Sequence, residues 1–286
     1  MISQILGGVM LAYLVAGLLF LAALLWSSSR LKGFAMGLLG GALAAQTLAF
    51  FARWLASYNQ AMIATPPVGW ADKLQLIIHQ VPLSNFYESL VFFSWCLACL
   101  ALFFLHRYGE SFLGVVGGLL ASLVLAYASL GTDSSIKPLM PALKSNWLLI
   151  HVITCFLGYA AFGLAFGAGL LFLMQAYTDH PKSPAPPLLD RLMYRAAVIG
   201  FIFLTLGILT GAVWAETAWG RYWSWDPKET SSLITWFIYA ALLHARLVKG
   251  WQGRPIAWLA VVGFGAVLFT YLGVSFLLPG LHSYLN

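Results

Sequence analysis

The sequence predicts an all-α polytopic membrane protein with about eight transmembrane helices. Hydrophobic residues make up 61% of the 286 residues and charged residues only 8%, whereas about a quarter of the residues in soluble domains are charged. Apolar runs able to cross a hydrocarbon core of roughly 20 helical residues recur along the chain. The predicted spans are residues 6–26, 34–51, 86–105, 112–130, 147–174, 196–213, 232–247 and 256–278. We expect residues 1–286 to form a single membrane-embedded domain.

The basic residues predict the orientation of these spans. The first span has no basic residue before it and is followed by Arg30 and Lys32. This is the reverse of a cleaved signal peptide. One set of alternate loops carries nine basic and three acidic residues, and the other carries six of each. Since basic loops stay cytoplasmic, we expect both termini and residues 214–230 outside. The same asymmetry accounts for the net charge of +6 and implies no nucleic-acid partner.

Three segments between the spans have their own signals. The apolar residues of 72–80 predict a short helix on the outer surface. Four prolines in 177–190 predict a non-helical cytoplasmic linker that divides a front half from a back half.

Asp226-Pro227-Lys228-Glu229 has the pattern of an N-cap, a proline at N1 and a capping-box acid at N3, which starts the seventh span at about Pro227. Asp226 is therefore a capping residue or, alternatively, a functional one.

Residues 214–230 hold an unusual concentration of aromatic side chains. Tryptophan and tyrosine anchor at membrane surfaces on their own account, which explains two or three of them. The segment holds four tryptophans and a tyrosine, and Gly220 allows close backbone approach. It also carries the basic residues Arg221 and Lys228. We therefore predict that it binds a planar anionic ligand. The tryptophans are Trp214, Trp219, Trp223 and Trp225.

Two histidines lie at the same outer level as this segment. His151 shares a helix face with Trp147 and Cys155, four residues away on either side. His282 follows the last span. Two neutral imidazoles beside an aromatic shelf suit the axial positions of haem iron. Two alternatives remain open on sequence alone. His282 is either a ligand or a solvated residue, and His79 is either a surface residue or an alternative ligand.

His244 predicts a separate site. At about 1.5 Å per residue it lies some 25 Å from Pro227 along its helix, in the inner half of the bilayer. It cannot share an iron with His151. Ionisable residues within spans are costly and usually functional, although a core histidine bonded to a neighbouring helix is the alternative. Cys96-Leu-Ala-Cys99 lies mid-span and is interpreted as a pair of small core residues.

Residues 219–230, Trp-Gly-Arg-Tyr-Trp-Ser-Trp-Asp-Pro-Lys-Glu-Thr, resemble the tryptophan-rich "WWD" signature of haem-handling cytochrome c assembly proteins, and most closely the CcsA, or ResC, family of System II. Segments 82–89, 141–151 and 280–284 fall in that family's order. The resemblance implies that His151 and His282 ligate haem b, carried as a substrate, outside the membrane. It also implies that His244 belongs to a haem site within the membrane, whose second ligand comes from a CcsB/ResB-like subunit.

The resemblance further implies a function. With its partner, such a protein brings haem to the outer face of a bacterial cytoplasmic membrane or a thylakoid membrane, for attachment to the Cys-x-x-Cys-His segment of apocytochrome c. Synthase activity is expected only in that complex, without a catalytic residue here. The expected haem contacts are Trp214, Trp219, Trp223, Trp225 and Asp226, with Arg221 or Lys228 at a propionate. A haem transporter, or a scaffold passing haem to a chaperone, is the alternative.

Overall fold

The computed structural model describes residues 2–137, 139–175, 184–278 and 280, and within them all regular structure is helical. Eight helices in these ranges are long and apolar enough to cross a membrane, as predicted. The helices are α1 Ile2–Trp26, α2 Ser29–Ala64, α3 Trp70–His79, α4 Phe86–Tyr108, α5 Ser111–Gly131, α6 Asn146–Gln175, α7 Pro186–Trp219, α8 Pro227–Val248, α9 Arg254–Leu268 and α10 Val274–Leu277. A π-helical turn, Phe269–Gly273, joins α9 to α10 and completes the eighth span.

Two helices extend well beyond their predicted apolar runs. The 36 residues of α2 correspond to about 54 Å, nearly twice the roughly 30 Å of a hydrocarbon core. Helix α7 begins at Pro186, so the prediction that 177–190 is non-helical throughout is wrong for its last five residues. Proline at the first helical position has no N–H to leave unpaired, and its fixed φ suits a helix start.

The helices form two groups that share one core. Helices α1, α2, α4 and α5 pack together, α6 to α9 form the second group, and α6 contacts both α4 and α5. The most extensive pairing is between α6 and α7, which the 177–190 linker connects, so the expected division at that linker is wrong. The change between groups falls at residues 132–145. Close approach of α1 and α5 requires glycine, since a Cβ on Gly118 would lie 3.0 Å from the Gly17 backbone.

One end of the bundle, called here the cavity end, carries α3 and the connections 65–69, 80–85, 132–145 and 220–226. Helix α3 confirms the surface helix expected at 72–80. It is tied to the extended end of α2, because Trp54 Nε1 donates to the Ile77 carbonyl at 2.8 Å and Ser57 Oγ donates to Gln80 Oε1 at 2.6 Å. The long α2 therefore supports a layer of structure beyond the membrane-spanning part of the bundle.

Candidate functional site

A cavity of about 1230 Å³, including its mouth, opens at the cavity end and lies between α4, α6, α7, α8 and α10. Its walls are mainly apolar and aromatic with a few polar groups, as cofactor sites generally are. Lining residues central to its chemistry are Ser89, His151, Trp214, Trp223, Lys228 and Tyr271.

His151 is oriented inside this cavity by a backbone carbonyl. Its Nδ1 lies 2.7 Å from the Gly207 oxygen, and a carbonyl can only accept, so Nδ1 carries the proton. In the neutral ring the lone pair is then on Nε2. Histidines that ligate metals commonly donate their other N–H to a carbonyl in this way. The local structure thus selects the tautomer that an iron ligand requires.

Glycines of α7 make room for the His151 ring. A Cβ added at Gly211 would lie 2.6 Å from Nδ1, and one at Gly207 would lie 2.5 Å from Cys155 Sγ. That sulfur is itself 3.7 Å from Nδ1. Gly211 therefore leaves space for the His151 ring, and Gly207 leaves space for Cys155 and provides the carbonyl that His151 contacts.

The four tryptophans form two edge-to-face pairs and not one continuous shelf. Trp214 is only 1% exposed, lies parallel to the His151 ring at 6.1 Å and donates from Nε1 to the Ala142 carbonyl at 2.9 Å. Trp219 packs against it at 4.8 Å. Trp223 and Trp225 pair at 5.8 Å, but Trp225 is 70% exposed. Trp214 and Trp223 line the cavity, whereas the other two are not among its lining residues.

The turn between α7 and α8 sets the positions of these indoles. Helix α7 ends at Gly220, whose φ of +74° provides a left-handed C-cap. Trp225 also has a positive φ, +59°, a conformation that costs a non-glycine residue about 1–2 kcal/mol. Backbone strain of this kind is concentrated at ligand sites and switch regions.

Of the two basic residues in 214–230, Arg221 and Lys228, only Lys228 lines the cavity. Lys228 Nζ donates to Ser275 Oγ at 2.9 Å and lies 6.0 Å from the centre of the Tyr271 ring. It belongs to no ion pair in the described part of the chain. Arg221 is exposed and does not line the cavity. Lys228 therefore brings a basic group to the wall of this cavity.

Asp226 and Glu229 fix the start of α8. Asp226 Oδ1 accepts from Lys228 N at 2.9 Å, and Glu229 Oε2 accepts from the backbone N–H groups of Ser224 and Asp226 at 2.8 and 3.2 Å. The predicted capping box and proline at N1 are both present. These contacts give Asp226 a capping role, and they aim Lys228, two residues later, into the cavity.

The cavity floor is an aromatic layer around Tyr271. Its hydroxyl lies 2.7 Å from Ser89 Oγ, and its ring packs 5.2 Å from Phe156 and 5.7 Å from Phe86. Tyr271 belongs to the π-helical turn, a rare element that often marks functional sites. Sequence reasoning missed this residue, because a single tyrosine in an apolar run carries no signal of its own.

A buried ion pair holds the rim of the cavity. Arg53 Nε lies 2.9 Å from Glu88 Oε1, and the side chains are only 9% and 4% exposed. The other guanidinium nitrogens donate to the carbonyls of Ser134 and Ser135 at 2.9 and 3.3 Å. Glu88 Oε2 accepts from the backbone and the hydroxyl of Ser84, both at 3.1 Å. One arginine on α2 therefore connects the rim residues before α4 with the start of the 132–145 connection.

His244 lies far from this cavity and faces away from the core. It is exposed on α8, where Ile234 and Phe237 are 54% and 58% exposed. Ile234, Phe237, Ala241 and His244 are all exposed and follow each other at alternating spacings of three and four residues, so they form one stripe on the helix. Near the same end of α8, away from the cavity, Arg246 forms a 2.6 Å ion pair with Asp190.

The other histidines and Cys96 do not line this cavity in the described part of the chain. His79 ends α3 and lines a different hollow at the cavity end. His106 is exposed at the other end of the bundle, and Cys96 is fully buried. His282 lies outside the described residues, so the expected pairing of His151 with His282 stays a prediction.

Comparison with known proteins identifies related chains. The family model for "Cytochrome C assembly protein" matches residues 83–282. The cytochrome c biogenesis protein CcsA of Synechococcus sp. (strain JA-3-3Ab) is 40% identical over 265 residues, covering 71% of this chain and 77% of the relative. CcsA of Chlamydomonas reinhardtii is 46% identical over 215 residues, covering 71% and 60%.

A solved structure shares the fold. The cytochrome c haem lyase CcmF superposes with a TM-score of 0.67 at 20% identity. The match covers 94% of this chain but 46% of CcmF. At this identity the likeness concerns the fold alone, and the chain spans less than half of that longer protein.

Proposed function

The chain belongs to the cytochrome c assembly protein family, and we propose that it holds haem b in the cavity beside His151 for covalent attachment to apocytochrome c. It is an integral membrane protein that handles haem in cytochrome c biogenesis. The observation that carries the proposal is the orientation of His151. Its Nδ1 is committed to the Gly207 carbonyl, which leaves the lone pair of the neutral ring on Nε2.

The cavity fits the remaining parts of the haem. Iron would bind His151 Nε2, the porphyrin would contact Trp214 and Trp223, and a propionate would meet Lys228. Lys228 rather than Arg221 takes this role because only Lys228 lines the cavity. A charge-assisted bond from an ammonium to a carboxylate is roughly twice as strong as a neutral one.

His282 is the proposed second axial ligand. Support comes from Gly280, where an added Cβ would lie 2.5 Å from Asp226 Oδ2. The chain therefore passes the start of α8 two residues before His282. A bis-histidine site would hold the iron until the histidine of the substrate replaces one ligand.

The attachment chemistry needs positioning more than acid or base catalysis. Each cysteine thiol of Cys-x-x-Cys-His adds across one vinyl group. Sulfur bonds to the vinyl carbon attached to the ring and hydrogen goes to the terminal carbon, so no oxidant or reductant is consumed. Holding thiol and vinyl together can supply about 7–11 kcal/mol of the barrier. The role of this chain is then to bind, orient and shield the haem, while the reactivity belongs to the porphyrin and the thiols.

We also propose that a CcsB/ResB-like subunit covers the exposed stripe of α8. An imidazole facing lipid is costly, and ionisable residues in spans generally face protein or a water-filled cavity. A partner helix against Ile234, Phe237 and Ala241 would enclose His244 and supply the second ligand of an inner haem site. The cavity end would then face the periplasm or the thylakoid lumen, in agreement with the loop charges.

The test is haem attachment by the purified chain together with its partner subunit and co-expressed apocytochrome c. We expect covalent c-type haem on the apocytochrome, and its loss in His151→Ala. Added imidazole should partly restore it by filling the vacated iron position. Haem that crosses the membrane without thioether formation would favour a transporter, and bound haem without either outcome would favour a scaffold. Full activity of His151→Ala would refute the proposed site.

A further inference from the structure

A second hollow lies next to the cavity that is lined by His151 and Lys228, which we call the haem cavity. The second hollow's empty space of about 1120 Å³, which includes the open mouth, lies between the extended end of α2, helix α3, and Ile136, Lys137, Leu139 and Lys144. We call it the second groove. The residues that matter for its chemistry are Gln60, Gln75, His79, Gln80, Lys137 and Lys144.

The second groove and the haem cavity share a wall. Leu143 lines the haem cavity and the next residue, Lys144, lines the second groove. On the other side, Gln80 lines the groove and Leu83 lines the cavity. The wall is fixed at both ends, by the bond from Trp214 Nε1 to the Ala142 carbonyl and by the bond from Ser57 Oγ to Gln80 Oε1. A ligand that extends from the groove therefore arrives directly at the mouth of the cavity.

The lining of the second groove suits an extended polypeptide. Side-chain amides both donate and accept hydrogen bonds, and three glutamines line the groove. An unfolded chain presents one N–H and one C=O at each non-proline residue. Such a lining pairs with main-chain groups without demanding a particular sequence. A site of this kind tolerates different substrate proteins.

The groove is lined by two lysines, Lys137 and Lys144, and by one carboxylate, Asp72. Lys137 pairs with Asp133 at 3.1 Å, and Asp72 Oδ2 accepts from Gly69 N at 3.2 Å as the capping acid of α3. Lys144 takes part in none of the ion pairs within those ranges. Partial burial, and then the charge of Lys144, lower the pKa of His79 below its usual value. Lys144 is thus placed to attract an acidic side chain.

We propose that the second groove binds the unfolded apocytochrome chain next to its Cys-x-x-Cys-His segment, with an acidic substrate residue at Lys144. This inference rests on the proposed function, because it assumes that the neighbouring cavity holds the haem. The Cys-x-x-Cys-His segment has five residues, which span about 17 Å when extended. A chain held in the groove can therefore cross the shared wall and place its two cysteines at the exposed haem edge.

The first test is site-specific photocrosslinking in the full complex with co-expressed apocytochrome c. Gln75 lines the groove, whereas Lys73 is exposed on the same helix and does not line it. A photoreactive residue at position 75 should crosslink to the apocytochrome, and one at position 73 should not. Equal crosslinking from both positions, or crosslinking from position 75 to the partner subunit alone, would overturn the proposal.

The second test separates substrate binding from haem binding. Lys144→Glu should lower holocytochrome yield about two- to fivefold at limiting apocytochrome, the range expected when an exposed charge pair is lost. Saturating apocytochrome should restore the yield. Lys73→Glu is the matched control and should have no effect. The haem absorption spectrum should be unchanged in both variants. A changed spectrum in Lys144→Glu would count against a substrate site, whereas absence of haem from the unmodified complex would count against the proposed function itself.

Discussion

Replacing Gly211 with alanine should displace the His151 ring without removing it. The new Cβ would lie 2.6 Å from Nδ1 and 2.7 Å from Cε1, whereas ordinary contacts begin at 3.4 Å. The ring must therefore retreat from α7 by about 0.8 Å. The Gly207 carbonyl lies on the same helix, so this movement lengthens a hydrogen bond that is 2.7 Å in the structure.

The expected cost is moderate for folding and larger for haem ligation. Overpacking by one methyl typically costs about 1–3 kcal/mol, and the weakened hydrogen bond adds about 1 kcal/mol. Loss of the partner that orients a metal-bound histidine typically lowers affinity or activity 10–100-fold. We therefore expect Gly211→Ala to accumulate in the membrane but to bind haem 10–100-fold more weakly than the unmodified chain.

The assay is a haem titration of the purified complex, followed by its absorption spectrum. Imidazole distinguishes this variant from His151→Ala, because the displaced ring still occupies the space that free imidazole would fill. Rescue should therefore be poor in Gly211→Ala. The matched control is Gly40→Ala in α2, where an added Cβ has no neighbour within 4 Å. Unaltered haem affinity and spectrum in Gly211→Ala would refute the assignment of His151 as a ligand held by α7.

Three further outcomes are expected. Lys228→Met should lower haem affinity about tenfold through loss of a charge-assisted bond, while the exposed Arg221→Met should not; equal losses in a haem titration would contradict the choice of Lys228. Arg53→Ala leaves a buried carboxylate unpaired, which typically costs about 3–5 kcal/mol, and should clearly lower the Tm in detergent; an unchanged Tm would show that the rim does not depend on this pair. His244→Ala should reduce haem content at the outer site in the complex, while His106→Ala should not, as measured by pyridine haemochrome; the reverse result would move the inner site to α4.

The number and order of spans could be predicted because lipid imposes a strong condition on sequence. A segment that crosses the membrane must form its backbone hydrogen bonds within the helix and expose apolar side chains to lipid. Each span is therefore an apolar run. The start of α8 was equally predictable, since Asp226 and Glu229 carry a local capping signal. The C-terminal end of α2 and the N-terminal end of α7 could not be predicted in this way. Beyond the membrane, the polar second half of α2 gives no hydropathy signal. Proline breaks a helix in its interior but is tolerated in its first turn, where Pro186 and Pro187 lie.

The sequence predicted how deep the site residues lie in the membrane, but it did not predict which side chains they contact. Helix position put His151 at the level of the tryptophans, yet its partner on α7 depends on how α6 and α7 pack. The glycine spacing at 207 and 211 was the available signal, and it indicates close approach without saying which side chain approaches. Lys228 could have been preferred over Arg221 on sequence alone. It follows the N-cap by two residues and shares the fixed geometry of the helix start, whereas Arg221 follows a left-handed glycine cap in an exposed turn.

His151 and His244 show how tertiary structure separates two histidines that sequence treats alike. Both lie in apolar spans, and both are costly unless something satisfies them. His151 obtains its orienting carbonyl, its neighbouring indole and a nearby cation from its own chain. His244 faces outward on a stripe with Ile234 and Phe237, so whatever satisfies it must come from outside the described bundle. The same physical cost therefore argues for a cofactor inside the chain in one case and for a second membrane subunit in the other.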